Sequence, residues 1–465
     1  MSDRGRKLRG AGAGSVETHR HAGRCIVAAR SRQRASGITL VSRFGFPPIS
    51  AHPTTQHNTT MLLRKTLSLV NALAVSLLLT GFAGAAESGG VPQTIRIGVS
   101  GPFTGGSSPM GVSMREGIRI AIAEINAGGG LLGRPVQVIE RDDEARNERG
   151  AQVVQELLNK EGIVAGLGIV NTGVALASQR YYQQARVPII TSVATGSLIT
   201  KQFQSPEFTE NFVFRVSAND TLQAEMIVEE AVDRRGLKRV AIFHDATNYG
   251  QLGREDLERA LARRHMRPVL IERFQLRQSD MTQALLRAQQ EGVQAILTYG
   301  IGPELAQIAN GMARLEWKVP LIGSWTLAMS NFIDNAGPNA EGARMPQTFI
   351  QDPGTPRRKA FLDAWRTLTG TERIPVPPAA AQGYDSALLL AAAIRQAGTT
   401  DGDRIRDALE NLQTRVDGVI MEYDRPFTRD NHETISSLGQ IYMGEVRGRQ
   451  VVFAYANDRV RATRQ

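Results

Sequence analysis

Two short stretches carry polar groups suited to gripping a small anion. Asn171-Thr172-Gly173 follows an apolar run, residues 163–167, and directly precedes a segment with helical spacing. Ser192-Val-Ala-Thr-Gly-Ser197 follows a second apolar run that ends at Thr191. At a helix N-terminus the first amide N–H groups lack partners and the helix dipole favours negative charge. A hydrogen bond to a charged group contributes about 1.5–3 kcal/mol net, so four or five of them hold a carboxylate without an arginine. The same residue types serve as plain N-caps, so both readings stand at this point.

Other chemistry finds little support. There is no P-loop, no G-x-S-x-G elbow and no H-E-x-x-H. Gly166-Leu-Gly168-Ile-Val-Asn171 approaches a dinucleotide fingerprint, but Asn stands where the third Gly belongs. His19, His21 and Cys25 lie close together in an Arg-rich leader, and the later histidines, His244, His265 and His432, are far apart. Asp142 and Asp143 follow a strand and read as a solvated acidic face rather than a catalytic pair. The expectation is a binding protein with no cofactor, no metal and no catalytic residue.

These loops need strands and helices to hold them. Ile95, Ile97 and Val99 alternate with Arg96 and Gly98, the period of a strand. After the loop 101–109, Met114, Ile118, Ala121, Ile122 and Ile125 fall at helical spacing, and Asn126 with the glycines 128–130 supplies a stop. A strand at 136–139 follows at once. Such a β-loop-α-β unit implies a parallel sheet whose working loops lie at the carboxyl ends of its strands. Helix 147–159 then leads to strand 163–167, and helix 174–185 to strand 188–191. After 212–216 the rhythm restarts with helices 221–235, 252–264, 281–291 and 303–315. The strands that follow them are 239–244, 268–271, 295–299 and 320–323. Two successive series imply two similar α/β lobes.

The stretch 94–144 resembles the start of the mature branched-chain amino-acid-binding proteins of ABC importers, the type I periplasmic binding proteins. The matching pieces are residues 95–99, Gly101-Pro-Phe-Thr-Gly105, Ile125-Asn-Ala-Gly-Gly129 and the span from Gly133 to Asp143, in order. The resemblance covers about 370 residues, from Thr94 nearly to the C-terminus. It implies an α/β fold of two Rossmann-like lobes with parallel-sheet cores joined by a three-stranded hinge. Crossings then fall near Asp220, Ile350 and His432, with 91–219 and 350–431 forming lobe 1 and 220–349 and 432–465 forming lobe 2. The helix 379–397 returns to lobe 1, and the closing strands 418–423 and 440–446 fall near the last crossing.

The resemblance also implies a ligand carboxylate held in the interlobe cleft by Asn171 and Thr172 of the first loop and by Ser192, Ala194 and Thr195 of the second. Tyr249, in His244-Asp-x-x-x-Tyr249-Gly250, matches a tyrosine that closes over the ligand; packing at a strand end is its bland alternative. Asp220 matches an aspartate near the first crossing, and capping the helix at Thr221 explains it equally well. Phe103, Met110 and Tyr299 are candidate apolar walls that also read as core. Family members that bind α-amino acids place an acid after the strand that here reads Pro320-Leu-Ile-Gly323, and this chain has Ser324-Trp325-Thr326 there. A buried ammonium without a counter-charge is costly, so α-amino acids are disfavoured unless Asp220 or Glu304 supplies the partner. Trp325 either stacks on an apolar or aromatic ligand body, with a cation–π face worth roughly 0.5–2 kcal/mol, or only packs the cleft wall.

The implied function is capture of a small amino acid, organic acid or amide for an inner-membrane ABC permease, by a monomer in the periplasm. A ligand sensor of the same fold is the alternative. The charge agrees. Residues 1–86 hold 12 Lys/Arg and 2 Asp/Glu, whereas the rest of the chain holds 43 of each. The net charge of +10 belongs to the leader and gives no reason to expect a nucleic-acid partner. Within that leader, residues 1–60 read as a disordered or untranslated extension. Residues 61–86 read as a signal peptide: Arg64 and Lys65, an apolar run 67–79, and Ala83-Gly-Ala85 at the cut. Translation is then expected to start at Met61.

Overall fold

The structure, a computed structural model, describes residues 93–463. The extension and the signal peptide expected at 1–86 lie outside the described residues.

The first sheet is built from β1 (Ile95–Gly101), β2 (Val136–Asp142), β3 (Ala165–Gly168), β4 (Ile189–Thr191) and β5 (Val213–Arg215), with α1 (Ser108–Ala127), α2 (Asn147–Asn159) and α3 (Thr172–Ala185) as its crossovers. Its strand order is β2-β1-β3-β4-β5, and every pairing is parallel. The alternation read in β1 does not leave one face wet. Gly98 and Val99 are buried as well as Ile97, because helices cover both faces of a parallel sheet.

After α4 (Asp220–Val228) the second sheet begins. It contains β6 (Val240–Asp245), β7 (Leu270–Phe274), β8 (Ala295–Tyr299), β9 (Leu321–Gly323) and β10 (Arg344–Gln347). Its crossover helices are α5 (Asn248–Ala262), α6 (Thr282–Gln290), α7 (Gly302–Arg314) and α8 (Ser330–Ala336). The helix expected to run to 235 is α only to Val228 and continues as a π turn over Glu229–Arg234.

The chain then returns to the first lobe. There α9 (Pro356–Thr369) and α10 (Pro377–Ala397) pack on α1, followed by α11 (Gly402–Glu410) and the two-residue strands β11 (Val416–Asp417) and β12 (Glu422–Tyr423). Backbone meets backbone where α1 and α10 cross. A Cβ on Gly117 would lie 2.0 Å from the Ala380 carbonyl oxygen, and one on Gly383 would lie 2.3 Å from that of Met114. Only glycine permits this approach.

Finally β13 (Tyr442–Arg447), β14 (Gln450–Phe453) and α12 (Ala456–Ala462) complete the second lobe, whose strand order is β14-β13-β10-β9-β8-β6-β7. The β10–β13 and β13–β14 pairs are antiparallel, so this sheet is mixed at one edge. The closing segments read at 418–423 and 440–446 therefore part company: β12 pairs only with β11, while β13 joins the second sheet.

Candidate functional site

The loops after β1, β2 and β3 face those after β6, β7 and β8 across a cleft. Residues 104–107, 144–148 and 171–173 line one wall, and residues 246–249, Arg273, Arg277, Ile301 and Glu304 line the other, around about 780 Å³. That size suits a small molecule. The lobes touch across it, where the Asn331 side-chain amide donates to the Gly106 carbonyl at 2.9 Å.

Asp142 and Asp143 are not a solvated face. Asp142 accepts from the Phe103 N–H at 2.9 Å and the Thr104 hydroxyl at 2.8 Å, pinning the loop after β1. Partial burial pulls its pKa up, but these bonds and one from the Glu144 N–H outweigh that and hold it below the usual value. Asp143 is fully buried, and desolvation, with Asp142 and Glu144 adding, pushes its pKa to about 7.

Asn171 stands at the N-cap position of α3 without capping it. Its side chain makes no bond to the helix; instead its Nδ2 donates to Ser107 Oγ at 3.1 Å, and its Oδ1 has no partner. The buried Thr172 Oγ1 is unpartnered as well. Plain capping therefore does not account for these two residues.

The loop after β4 behaves differently. The Ser192 N–H is taken by the Gly168 carbonyl at 2.8 Å and the Ala194 N–H by the Ile169 carbonyl at 3.1 Å. Ala194 thus has no amide left to offer, which corrects its expected place among the donors. What the loop keeps is the buried, unpartnered Ser192 Oγ. Thr195 turns its carbonyl to Arg215 Nη1 at 3.0 Å and lines a second, water-sized cavity of about 10 Å³ with Gln223, Trp325, Gln347 and Gln382.

Across the cleft, Tyr249 lies in the first turn of α5 rather than at a strand end. Its hydroxyl donates to Ser324 Oγ at 2.6 Å, and its ring lies 5.3 Å from that of Tyr299. Trp325 is 6% exposed; its backbone N–H donates to Gln223 Oε1 at 3.2 Å, and its indole Nε1 has no partner.

The helix at Thr221 is capped by Asn219, whose side chain accepts from the Thr221 N–H. Asp220 is freed from that role. It is fully buried, and Oδ2 has no partner. Desolvation, with Asp256 adding, raises its pKa to about 8 against the opposing Thr195 hydroxyl, Arg215 and Tyr299.

The outer cleft thus gathers Asn171, Thr172 and Tyr249, and the inner cavity Thr195 and Trp325. Ser192, Ala194 and Asp220 are buried and line neither of these two. Nor do Phe103 and Met110, which are corrections as walls. Phe103 lies under the Arg115 guanidinium, 4.9 Å from the ring centroid, and Met110 belongs to the core. Tyr299 is fully buried behind Tyr249.

Sequence reasoning passed over Arg215. It is buried in β5, donates to the Thr195 and Gly196 carbonyls at 3.0 and 2.7 Å, and pairs with Glu433. Glu433 in turn accepts from the Thr200 hydroxyl at 2.6 Å and from Asn219. The one signal was an arginine inside the apolar run 212–216.

Residues 94–450 match the family model described as periplasmic binding protein. A leucine-, isoleucine-, valine-, threonine- and alanine-binding protein of Pseudomonas aeruginosa is 24% identical over 350 residues, 75% of this chain and 89% of that protein. A Leu/Ile/Val-binding protein homologue of Brucella abortus is 28% identical over 262 residues, 56% of this chain and 67% of its own length. Among solved structures, a leucine-binding protein from Thermotoga maritima superposes with a TM-score of 0.68 at 23% identity, covering 78% of this chain and 98% of that one. A solute-binding protein from R. palustris in complex with 4-hydroxybenzoate gives 0.68 at 20% identity, covering 77% and 95%. The chain belongs to the periplasmic binding proteins, in the type I, branched-chain amino-acid group, a family of solute-binding proteins rather than enzymes.

Proposed function

We propose that this protein is the substrate-binding component of an ABC importer, exported to the periplasm by the segment 61–86, and that it holds a small carboxylate- or amide-bearing ligand between its lobes. The observation that carries the reading is a cleft of about 780 Å³ whose wall at the N-terminus of α3 holds two buried side-chain atoms without partners, Asn171 Oδ1 and Thr172 Oγ1, with Trp325 Nε1 likewise unpartnered at the inner cavity. Buried polar groups are normally satisfied, and a desolvated orphan costs about 1–3 kcal/mol, so a cluster of them is best explained by a ligand that satisfies it. The carboxylate belongs at the N-terminus of α3, and the ligand's apolar or aromatic body against Trp325. The Pseudomonas aeruginosa relative is named for binding leucine, isoleucine, valine, threonine and alanine, and the R. palustris protein is in complex with 4-hydroxybenzoate; both kinds of ligand fit this division.

A thermal-shift screen with amino acids, aromatic and aliphatic acids, amides and urea tests the reading. At least one acid or amide should raise Tm by several degrees, and small-angle scattering should show a smaller radius at saturation as the lobes close. No stabilisation by any of them would overturn it.

A further inference from the structure

We propose that α8 is a clasp between the lobes, built from protein atoms alone, and that Asn331 in its first turn sets how long the lobes stay closed on a ligand. Three residues of this helix reach the first lobe. The Asn331 side-chain amide donates to the Gly106 carbonyl at 2.9 Å. The Ser330 N–H donates to the Pro375 carbonyl at 3.0 Å, and the next residue, Val376, is tied to α1 by its N–H on Ser113 Oγ at 3.1 Å. One turn on, the two Asp334 oxygens accept from Arg373 at 3.0 and 3.1 Å, and Oδ1 also accepts from Arg449 of its own lobe at 3.1 Å. These contacts run from the crossing, where Gln351 accepts from the Ile374 N–H, to the cleft, which Gly106 lines.

Asn331 is the member that meets the cleft. Gly106 belongs to the loop after β1, which Asp142 pins at Phe103 and Thr104, and its neighbour Ser107 accepts from Asn171, beside the place proposed for the carboxylate. The amide is oriented for this one contact. Its Oδ1 is buried without a partner against Gly302, where a Cβ would lie 2.2 Å away, and turning the amide over would set that oxygen against the Gly106 carbonyl. The Arg373–Asp334 pair is open to solvent, with side chains 48% and 38% exposed, and such pairs contribute little. The two neutral bonds therefore carry the clasp. A hinge displaces atoms least beside its crossings, so the Pro375 bond survives opening and the Gly106 bond breaks. A bond made only in the closed arrangement shifts the population towards it, with or without a ligand, and slows ligand escape. The effect on escape rests on the ligand site proposed above; the contact between the lobes does not.

Double electron–electron resonance on the intact protein, with no ligand added, tests the clasp. Cys25 is the chain's one cysteine, so in a Cys25→Ser background spin labels at Gln152→Cys on α2 and Ala262→Cys on α5 report the distance between the lobes. The labelled protein should show two distances, and Asn331→Ala should move most of the shorter population to the longer distance. Asn331→Asp, which puts an acceptor where the donor was, should do the same, and melting curves check that both variants fold. A distribution unchanged in both variants, or one distance shared by all three proteins, would overturn the inference. Stopped-flow binding of leucine and of 4-hydroxybenzoate gives a second readout. For whichever acid binds, Asn331→Ala should raise koff about three- to tenfold with kon nearly unchanged. An unchanged koff would overturn the role of Asn331. Binding of neither acid would count against the ligand site, and the distances measured without ligand would still decide the clasp.

Discussion

The Tyr249 hydroxyl donates to Ser324 Oγ at 2.6 Å, and Ser324 passes the direction on. Thr326 Oγ1 gives its hydrogen to the Gly300 carbonyl at 2.7 Å, so at 2.8 Å it must accept from Ser324. The hydroxyl hydrogens of Tyr249, Ser324 and Thr326 are thus all used, which fixes Tyr249 over the cleft before any ligand arrives. Tyr249→Phe leaves Ser324 without its donor in a buried setting. It should cost about 1–2 kcal/mol of stability in urea unfolding and tenfold or more in ligand affinity. An unchanged affinity would remove Tyr249 from the site.

Arg215 and Glu433 join segments 218 residues apart and hold the loop that carries Ser192 and Thr195. Breaking a buried, hydrogen-bonded pair leaves one uncompensated charge. Arg215→Met and Glu433→Gln should therefore each destabilise by about 3–5 kcal/mol in denaturant titration. The double change should cost less than the sum. Additive losses would mean that the two do not act as a pair.

That pair also shows where the sequence was and was not readable. The βα rhythm was legible because each crossover helix carries its own apolar stripe, and α2 and β8 have the bounds that periodicity predicts. The orphaned loop at Asn171 and Thr172 was legible because it directly precedes a helix. Neither the Arg215–Glu433 contact nor the antiparallel edge of β13 and β14 leaves a local pattern, since both depend on which distant segments meet. Asp220 and Asn219 illustrate a subtler difficulty. Either could cap the helix, and only the backbone decides that Asn219 does, leaving Asp220 for the interior.

Stability of the empty protein should fall as pH rises. Burial lifts the pKa of Asp220 to about 8, of Asp143 to about 7 and of Asp245 to about 6, from the ordinary aspartate value of 3.8. Between the unfolded and folded values the native state holds more protons than the unfolded one. The stability is thus fully present below pH 4 for these groups and is lost progressively up to about pH 8. Other carboxylates, such as Glu433, whose pKa is held down chiefly by Arg215 against its burial, act in the opposite sense at the acid end. Melting curves between pH 5.5 and 8.5 should show a declining Tm, flatter in Asp220→Asn. A Tm that rises across this range would contradict these assignments.

Trp325 should carry the ligand's body. Trp325→Ala removes that face and should weaken an aromatic or aliphatic ligand tenfold or more, with Trp325→Phe retaining most of the affinity. Micromolar leucine binding that survives Trp325→Ala would reduce the indole to a packing role.

The leader makes its own prediction. Expressed in a Gram-negative host, the protein should be recovered from the periplasm with its N-terminus at Ala86 or Glu87. N-terminal sequencing that finds a cytoplasmic product beginning near Met1 would contradict export.

The central claim is that a small acid is held between the lobes at the N-terminus of α3, where the unpartnered Thr172 hydroxyl lines the cleft. Titration calorimetry with leucine, phenylalanine, benzoate and 4-hydroxybenzoate addresses it directly, on the wild type and on Thr172→Val. The account predicts one-to-one binding of at least one of them with a micromolar or lower Kd. In the variant, loss of a hydrogen bond to a charged group, at roughly 1.5–3 kcal/mol, should weaken it by about tenfold or more. Binding of equal strength in the variant, or no binding of any of the four to the wild type, would contradict it.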